Sequence, residues 1–312
     1  MRIVFMGTPD FSVPVLEALI REGYEVSLVV TQPDKARGRS KQPQPSPVKA
    51  AAQAHGLPVI TPKRVREPEV IVRLAEQQAD LFVVVAFGQI LSKEVLELPK
   101  LGCLNVHASL LPKYRGAAPM QWAILDGEEV TGVTVMQMDE GLDTGAMLTK
   151  REVRLTDKTT LASLHDEMMT AGAELLIETI PRLAAGELTA VAQPEQSPTA
   201  YAKMLTKQMG EIDWSQSAMQ IDRQVRAFHP WPTAYTYLKG LLFKITESEP
   251  RLYDAAAAPG TVTAVTAQEI VVACGEGSLA LHRVQLQGKK EMETAAFLRG
   301  YKLENNTVFG KE

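Results

Sequence analysis

Asn105 and His107 stand two residues apart in the run Cys103-Leu-Asn-Val-His107. If that run is a strand, alternation puts the amide and the imidazole on one face and Val106 on the other. An amide beside an imidazole supplies what acyl transfer needs: a neutral N–H donor for a developing oxyanion, and a group that exchanges a proton near neutral pH. The same two residues can instead cap the strand and satisfy backbone groups of the next loop, so the pair alone does not decide. A third candidate is Asp143, set between Gly141 and Gly145 in Asp139-Glu-Gly-Leu-Asp-Thr-Gly145. In short acidic connections an Asp commonly bonds its own backbone, which is the default for Asp139. If this loop folds over the strand ends, Asp143 orients the imidazole and favours its charged form.

The elements that must position these groups follow an α/β pattern. Residues 2–6 form an apolar run ending at Gly7, residues 13–22 carry helical spacing through Val13, Leu16, Leu19 and Ile20, and residues 26–30 form a second apolar run. This is a βαβ opening with the β-branched residues of buried parallel strands. Gly7-Thr-Pro-Asp-Phe11 stands where a dinucleotide-binding fold carries G-x-G-x-x-G, without the second and third glycines, so close pyrophosphate binding is not expected. Alternation continues with helical spacing at 47–55, a short strand at 58–61, helical spacing at 69–78 and a strongly apolar strand at 81–86, giving a doubly wound sheet. That strand ends in Phe87-Gly-Gln-Ile-Leu91. There, main-chain amides beside apolar side chains suit a flat heterocycle with donor and acceptor edges, although an ordinary turn with a glycine has the same sequence. A helix at 117–125, strands at 132–138 and 147–153, and a long helix at 161–183 complete the first domain, with His165 as a packing residue.

Bulk properties bound the rest. At 312 residues and 45% hydrophobic content the chain is long enough for two domains. A net charge of -4 excludes coating nucleic acid by bulk charge, so any polyanion site is local. Residues 32–49 supply one: Lys35, Arg37, Arg39, Lys41 and Lys49 stand against the single acid Asp34. Such a basic, non-periodic loop at the carboxyl end of a strand is either a solvated loop or a clamp on a phosphate backbone. Cys103 and Cys274 lack ligand spacing and are expected to be reduced and buried, with no metal site. The first residues lack signal-peptide character and no run reaches membrane-spanning length, which places the protein in the cytoplasm. Residues 190–207, rich in Pro, Ser, Thr and Gln and carrying Tyr201, Lys203 and Lys207, read as a linker between a domain at 1–189 and one at 208–312. In the latter, a helix closes at Phe228-His-Pro-Trp-Pro232, with His229 structural, and β-like runs at 234–238, 241–248, 260–265, 270–273 and 278–285 predict a small barrel. A helical piece from Gly288 to about Leu298 follows. With 11 Lys plus Arg against 12 Asp plus Glu in 208–312, any RNA footprint on this domain is a patch.

Recognisable motifs run along the chain: Gly7-Thr-Pro-Asp-Phe11, Thr31-Gln-Pro-Asp34, Pro45-Ser-Pro-Val-Lys49, Ala86-Phe-Gly88, Leu104-Asn-Val-His-Ala-Ser-Leu-Leu-Pro112 and Arg115-Gly-Ala-Ala-Pro119. They continue through Gly132-Val-Thr-Val-Met-Gln-Met-Asp139, Gly141-Leu-Asp-Thr-Gly145, Ile212-Asp-Trp214 and Arg226-Ala-Phe-His-Pro-Trp-Pro232. By these motifs the sequence bears a close resemblance, from end to end, to the methionyl-tRNA formyltransferase family. The resemblance implies a Rossmann-like catalytic domain, a C-terminal OB-like domain that grips initiator tRNA, and 10-formyltetrahydrofolate as formyl donor, in a monomer. Asn105, His107 and Asp143 match the family's catalytic trio. The folate is expected against Phe87, Gly88, Gln89, Ile90, Leu91, Ser109, Leu110, Leu111, Pro112, Asp139 and Asp143, and the tRNA against Lys35, Arg37, Arg39, Lys41, Lys203 and Lys207. The core motif is shared with formyltransferases of small amines, such as nucleotide sugars, which need neither the basic loop nor the barrel. A non-catalytic RNA-binding module on an inactive core is disfavoured because all three members of the trio are present.

Overall fold

β-Branched apolar runs that are buried on both faces pair in parallel, and the first domain is built from them. In the computed structural model, which describes residues 1–36, 42–253 and 256–311, the chain runs β1 (Arg2–Gly7), α1 (Val13–Arg21), β2 (Glu25–Val30), β3 (Lys35–Ala36), β4 (Pro43–Gln44), α2 (Pro47–Ala54), β5 (Val59–Ile60) and α3 (Pro68–Ala75). It continues through β6 (Leu81–Val85), α4 (Lys93–Leu96), β7 (Cys103–His107), α5 (Pro119–Asp126), β8 (Val130–Gln137), β9 (Met147–Arg154) and α6 (Leu161–Ala184). The main sheet has the order β5-β2-β1-β6-β7-β8-β9. β5 through β7 are parallel, and β8 and β9 add antiparallel. Val4 and Met6 point into a cluster with Val70 and Leu74 of α3, Val95 of α4 and Cys103 of β7. On the opposite face Gly172 of α6 lies against Val106 and Val133, where a Cβ would come within 3.0 Å of Val106. Helices therefore cover both faces, and Asn105 and His107, in step with Cys103, share the α3/α4 side at the end of the last parallel strand.

The basic loop has ordered shoulders. β3 and β4 pair antiparallel, the Thr31 hydroxyl lies 2.7 Å from that of Ser46, and Ser46 Oγ caps α2 by accepting from Lys49 N (3.0 Å). Lys49 Nζ pairs with Asp34 at 2.7 Å. The motifs around Thr31-Gln-Pro-Asp34 and Pro45-Ser-Pro-Val-Lys49 thus hold the two ends of the loop together, and Lys49 is engaged there by Asp34.

The chain divides into two units. The first comprises Met1–Pro119, Val130–Arg154 and His165–Ala202, and the second Met120–Glu129, Leu155–Leu164 and the chain from Lys203. Residues 120–129 and 155–164, read from sequence as first-domain, group with the second unit. There the indole of Trp122 donates to Lys203 O (3.0 Å) and Arg226 Nη1 donates to Thr159 O (2.7 Å). The segment expected as a linker is split at Ala202.

The second unit contains α7 (Ala218–Phe228), β10 (Ala234–Leu238), β11 (Leu241–Arg251), β12 (Val262–Val265), β13 (Ile270–Ala273), β14 (Ser278–Leu286), β15 (Met292–Glu293) and α8 (Thr294–Gly300). Its antiparallel sheet has the order β10-β11-β14-β13-β12, with β15 on β14. The last residues bond to both ends of that path: Val262 N donates to Thr307 O and Phe309 N to Gly260 O on the β12 side, and Gly310 N donates to Tyr237 O of β10 (3.0 Å). Ser217 and Gln220 form a capping box for α7. The helix expected from Gly288 begins only at Thr294, because Glu291 is drawn to Thr246 (3.1 Å) and Arg283 (3.5 Å) and residues 292–293 pair with β14. Among the described residues no helix is long and apolar enough to cross a membrane.

Candidate active site

β7 carries Asn105 and His107, 9% and 6% exposed, on one face of the strand. Asp143 meets them there: its Oδ1 lies 3.4 Å from Asn105 Nδ2 and 3.6 Å from His107 Nδ1. Its Oδ2 accepts from the Gly116 amide at 2.9 Å. The other ring nitrogen, His107 Nε2, lies 3.0 Å from the Tyr114 carbonyl oxygen. A carbonyl only accepts, so Nε2 carries a proton and Nδ1 is the ring nitrogen that faces Asp143. All of these groups belong to the first unit, so the three residues singled out from sequence are brought together within it.

Two loops set this geometry. Residues 108–116 fold back under the strand end: Ser109 Oγ donates to Lys113 O (2.6 Å), Thr134 Oγ1 donates to Ser109 O (2.7 Å) and accepts from Leu111 N (3.1 Å). Lys150 Nζ donates to Leu111 O, and partial burial lowers the pKa of that ammonium. Ser109 and Leu111 are fully buried. The Ser109 hydroxyl bonds within the loop and the Leu111 side chain packs with Met136 and Met147. The second loop carries Asp143 at φ +57°. Asp139 closes it from within, its Oδ1 accepting from the Gly141 amide (3.0 Å) and Thr144 Oγ1 (2.8 Å). That is the turn-forming use of an Asp, made here by an exposed carboxylate.

The Gly88 loop is similarly braced. Thr8 Oγ1 donates to Phe87 O (3.0 Å) and Gln32 Nε2 to Gly88 O (3.0 Å). Gln89 holds Val65 N (2.6 Å) and Pro62 O (3.1 Å). Phe87 and Leu91 are core residues, while Ile90 is 65% exposed, so this loop presents the Gly88 backbone, at φ +79°, and the Ile90 side chain outward.

Of the residues expected to meet tRNA, Lys35 is exposed in β3, Lys203 sits 5.9 Å from the Trp122 ring and Lys207 is exposed. Arg37, Arg39 and Lys41 lie outside the described residues.

Sequence reasoning passed over the strap at residues 191–202. Val191 bridges to Met147, Ser197 Oγ donates to Pro112 O (2.7 Å), Thr199 Oγ1 accepts from Tyr114 N (2.7 Å), and Ala202 bonds with Arg115 and Ala117. Within it Gln193 contacts both Arg115 and the Asp143 loop. Tyr201, half-exposed, covers Gly116, and its phenol is pushed up first by burial and then by the Asp143 carboxylate. The only advance signals were the polar composition and the lone Tyr.

The formyl transferase family model matches residues 1–180 and the model of the formyl transferase C-terminal domain matches residues 204–302. A methionyl-tRNA formyltransferase of Agathobacter rectalis is 49% identical over 310 residues, covering 99% of each chain. One of Citrifermentans bemidjiense is 50% identical over 312 residues, covering 100% of this chain and 97% of the relative. Among solved structures, the fold is shared with WlaRD, a sugar 3N-formyl transferase crystallised with dTDP and 5-N-formyl-THF (TM-score 0.68, 18% identity, 93% of this chain and 99% of that one). It is also shared with HypX from Aquifex aeolicus in complex with tetrahydrofolic acid (TM-score 0.64, 20% identity, 96% of this chain); the present chain spans 47% of that protein. With both domain models matched in order and relatives aligned along its whole length, the chain belongs to the methionyl-tRNA formyltransferase family.

Proposed function

We propose that the protein transfers the formyl group of 10-formyltetrahydrofolate to the α-amino group of methionyl initiator tRNA. The observation that carries this reading is the approach of Asn105 Nδ2 and His107 Nδ1 to one Asp143 oxygen, at 3.4 and 3.6 Å, in a chain 49% identical to a methionyl-tRNA formyltransferase.

The amine attacks the formyl carbon in its neutral form. The negative charge that develops on the formyl oxygen is met by the Asn105 N–H and by a protonated His107 Nδ1, while Nε2 stays fixed on Tyr114 O. Asp143 holds the imidazolium, takes the proton the amine loses and returns it to N10 of the folate as the C–N10 bond breaks, so the charges balance. The Gly88 backbone and Ile90 support the pterin, and the basic loop with Lys35, Arg37, Arg39 and Lys41 contacts tRNA phosphates. The C-terminal sheet, with its terminal segment bonded at both edges, acts as the OB-like domain, with Lys203 and Lys207 at its start.

The test is formyl transfer from 10-formyltetrahydrofolate to charged initiator tRNA, set beside transfer to nucleotide-sugar amines. Turnover with the tRNA and none with the small amines is expected; the reverse preference would overturn the substrate assignment.

A further inference from the structure

Resting on the reading that Asp143 serves formyl transfer, we infer that Gln193, oriented by Arg115, is the positioning residue that sets the place of the Asp143 carboxylate. Asp143 sits at φ +57°, a conformation that an L-residue keeps only where its surroundings hold it. Its side chain is held by the Gly116 amide. Its backbone is held by Gln193, whose Nε2 donates to Asp143 O (2.9 Å) and to Gly145 O (2.8 Å). Gly145 is itself an anchored point, because a Cβ there would meet the Gln137 carbonyl at 1.8 Å, so no side chain fits between this loop and the end of β8. One amide group therefore spans the carbonyls on either side of Thr144 and ties the acid-bearing residue to the fixed glycine.

Arg115 decides which way that amide faces. Its Nε donates to Gln193 Oε1 (2.9 Å), while Nη2 and Nη1 donate to Pro194 O (2.7 Å) and Glu195 O (3.2 Å). A guanidinium only donates, so it turns the Gln193 oxygen toward itself and leaves Nε2 aimed at the two loop carbonyls. A reversed amide would set donor against donor and acceptor against acceptor. Arg115 is 8% exposed, so this fork is buried and fixed. The strap stays fastened without the Gln193 side chain, through Val191, Ser197, Thr199 and Ala202. Its loss therefore displaces the carboxylate without unfolding the site.

Gln193→Glu tests this directly. Glutamate keeps an acceptor for Arg115, in a stronger charged form, but sets an oxygen against the two carbonyls that Nε2 now binds. Because small misplacements of a reacting group act on the chemical step, kcat is expected to fall about 10- to 100-fold with KM for both substrates nearly unchanged. Hydrogen exchange over residues 139–145 rises and the melting temperature stays close to that of the parent protein. A kcat within about twofold of the parent, a loss carried by KM, or unchanged exchange in that loop would overturn the role. If Glu at 193 does not fold, Arg115→Lys, which keeps the charge and loses the fork, carries the same test with the same signature, and its absence overturns the role. A parent protein unable to formylate methionyl-tRNA would defeat the functional reading, while the exchange measurement, which needs no substrate, still decides the role of Gln193.

Discussion

His107 and Asn105 differ in how they are held, and that difference assigns their work. His107 is pinned at Nε2 by Tyr114 O, which leaves Nδ1 facing Asp143. Asn105 brings a donor that needs no proton. Replacing either with alanine removes one donor from the developing oxyanion, which typically costs roughly 10²–10³ in turnover. Asn105→Ala and His107→Ala are expected to show that loss in single-turnover transfer with circular dichroism unchanged; near-normal turnover in either would contradict the assignment. The pairing of these two residues was legible because strand alternation fixes faces. Asp143 was legible only as a candidate, since a loop has no period, and its place depends on Gly116 and Gln193, remote in sequence. At the same scale, burial pushes the thiols of Cys103 and Cys274 up to about 12. Both therefore stay protonated at mildly alkaline pH. Iodoacetamide is expected to leave the native protein unmodified there and to label both cysteines in urea; labelling of the native protein would contradict their burial.

Among the elements, strands were the most legible and the strap the least. β6 and β7 are apolar runs that start just after Asp80 and Gly102, and β10, β12 and β14 start close behind Pro232, Gly260 and Gly277. The strap at 191–202 has no such pattern, because its fastening is done by backbone groups and short polar side chains such as Ser197 and Thr199. Residues 288–293 misled for the opposite reason: Lys289, Lys290 and Glu291 are good helix formers, and pairing with β14 overrode that preference. The terminal segment was not read as part of the sheet at all, yet Phe309 is 3% exposed, stacked 6.0 Å from Trp214 and tilted 5.2 Å from Phe243. Phe309→Ala is expected to destabilise the second unit by about 3–5 kcal/mol in urea unfolding. A change below about 1 kcal/mol would mean that the segment does not close this core.

Across the whole molecule, a net charge of -4 makes affinity for a polyanion depend on where the cations lie rather than on their total. The basic loop concentrates them on shoulders fixed by the Thr31 and Ser46 hydroxyls and by Asp34 and Lys49. Arg39→Ala is expected to weaken tRNA use and to lower the slope of log K against log salt by about one phosphate contact, with folate affinity unchanged. Unchanged kinetics with tRNA would remove Arg39 from the interface. The α/β class and the antiparallel second domain were both readable from periodicity, whereas the grouping of residues 120–129 and 155–164 with the second unit depends on contacts made by Trp122 and Arg226, which no local pattern announces. All of this serves one carboxylate set between an amide and an imidazole. The measurement that probes it most directly is the single-turnover rate of formyl transfer to charged initiator tRNA by Asp143→Asn, which keeps the shape and removes the charge. A fall of about 10²–10⁴ in a folded protein is expected; a rate within about tenfold of the parent would contradict the account.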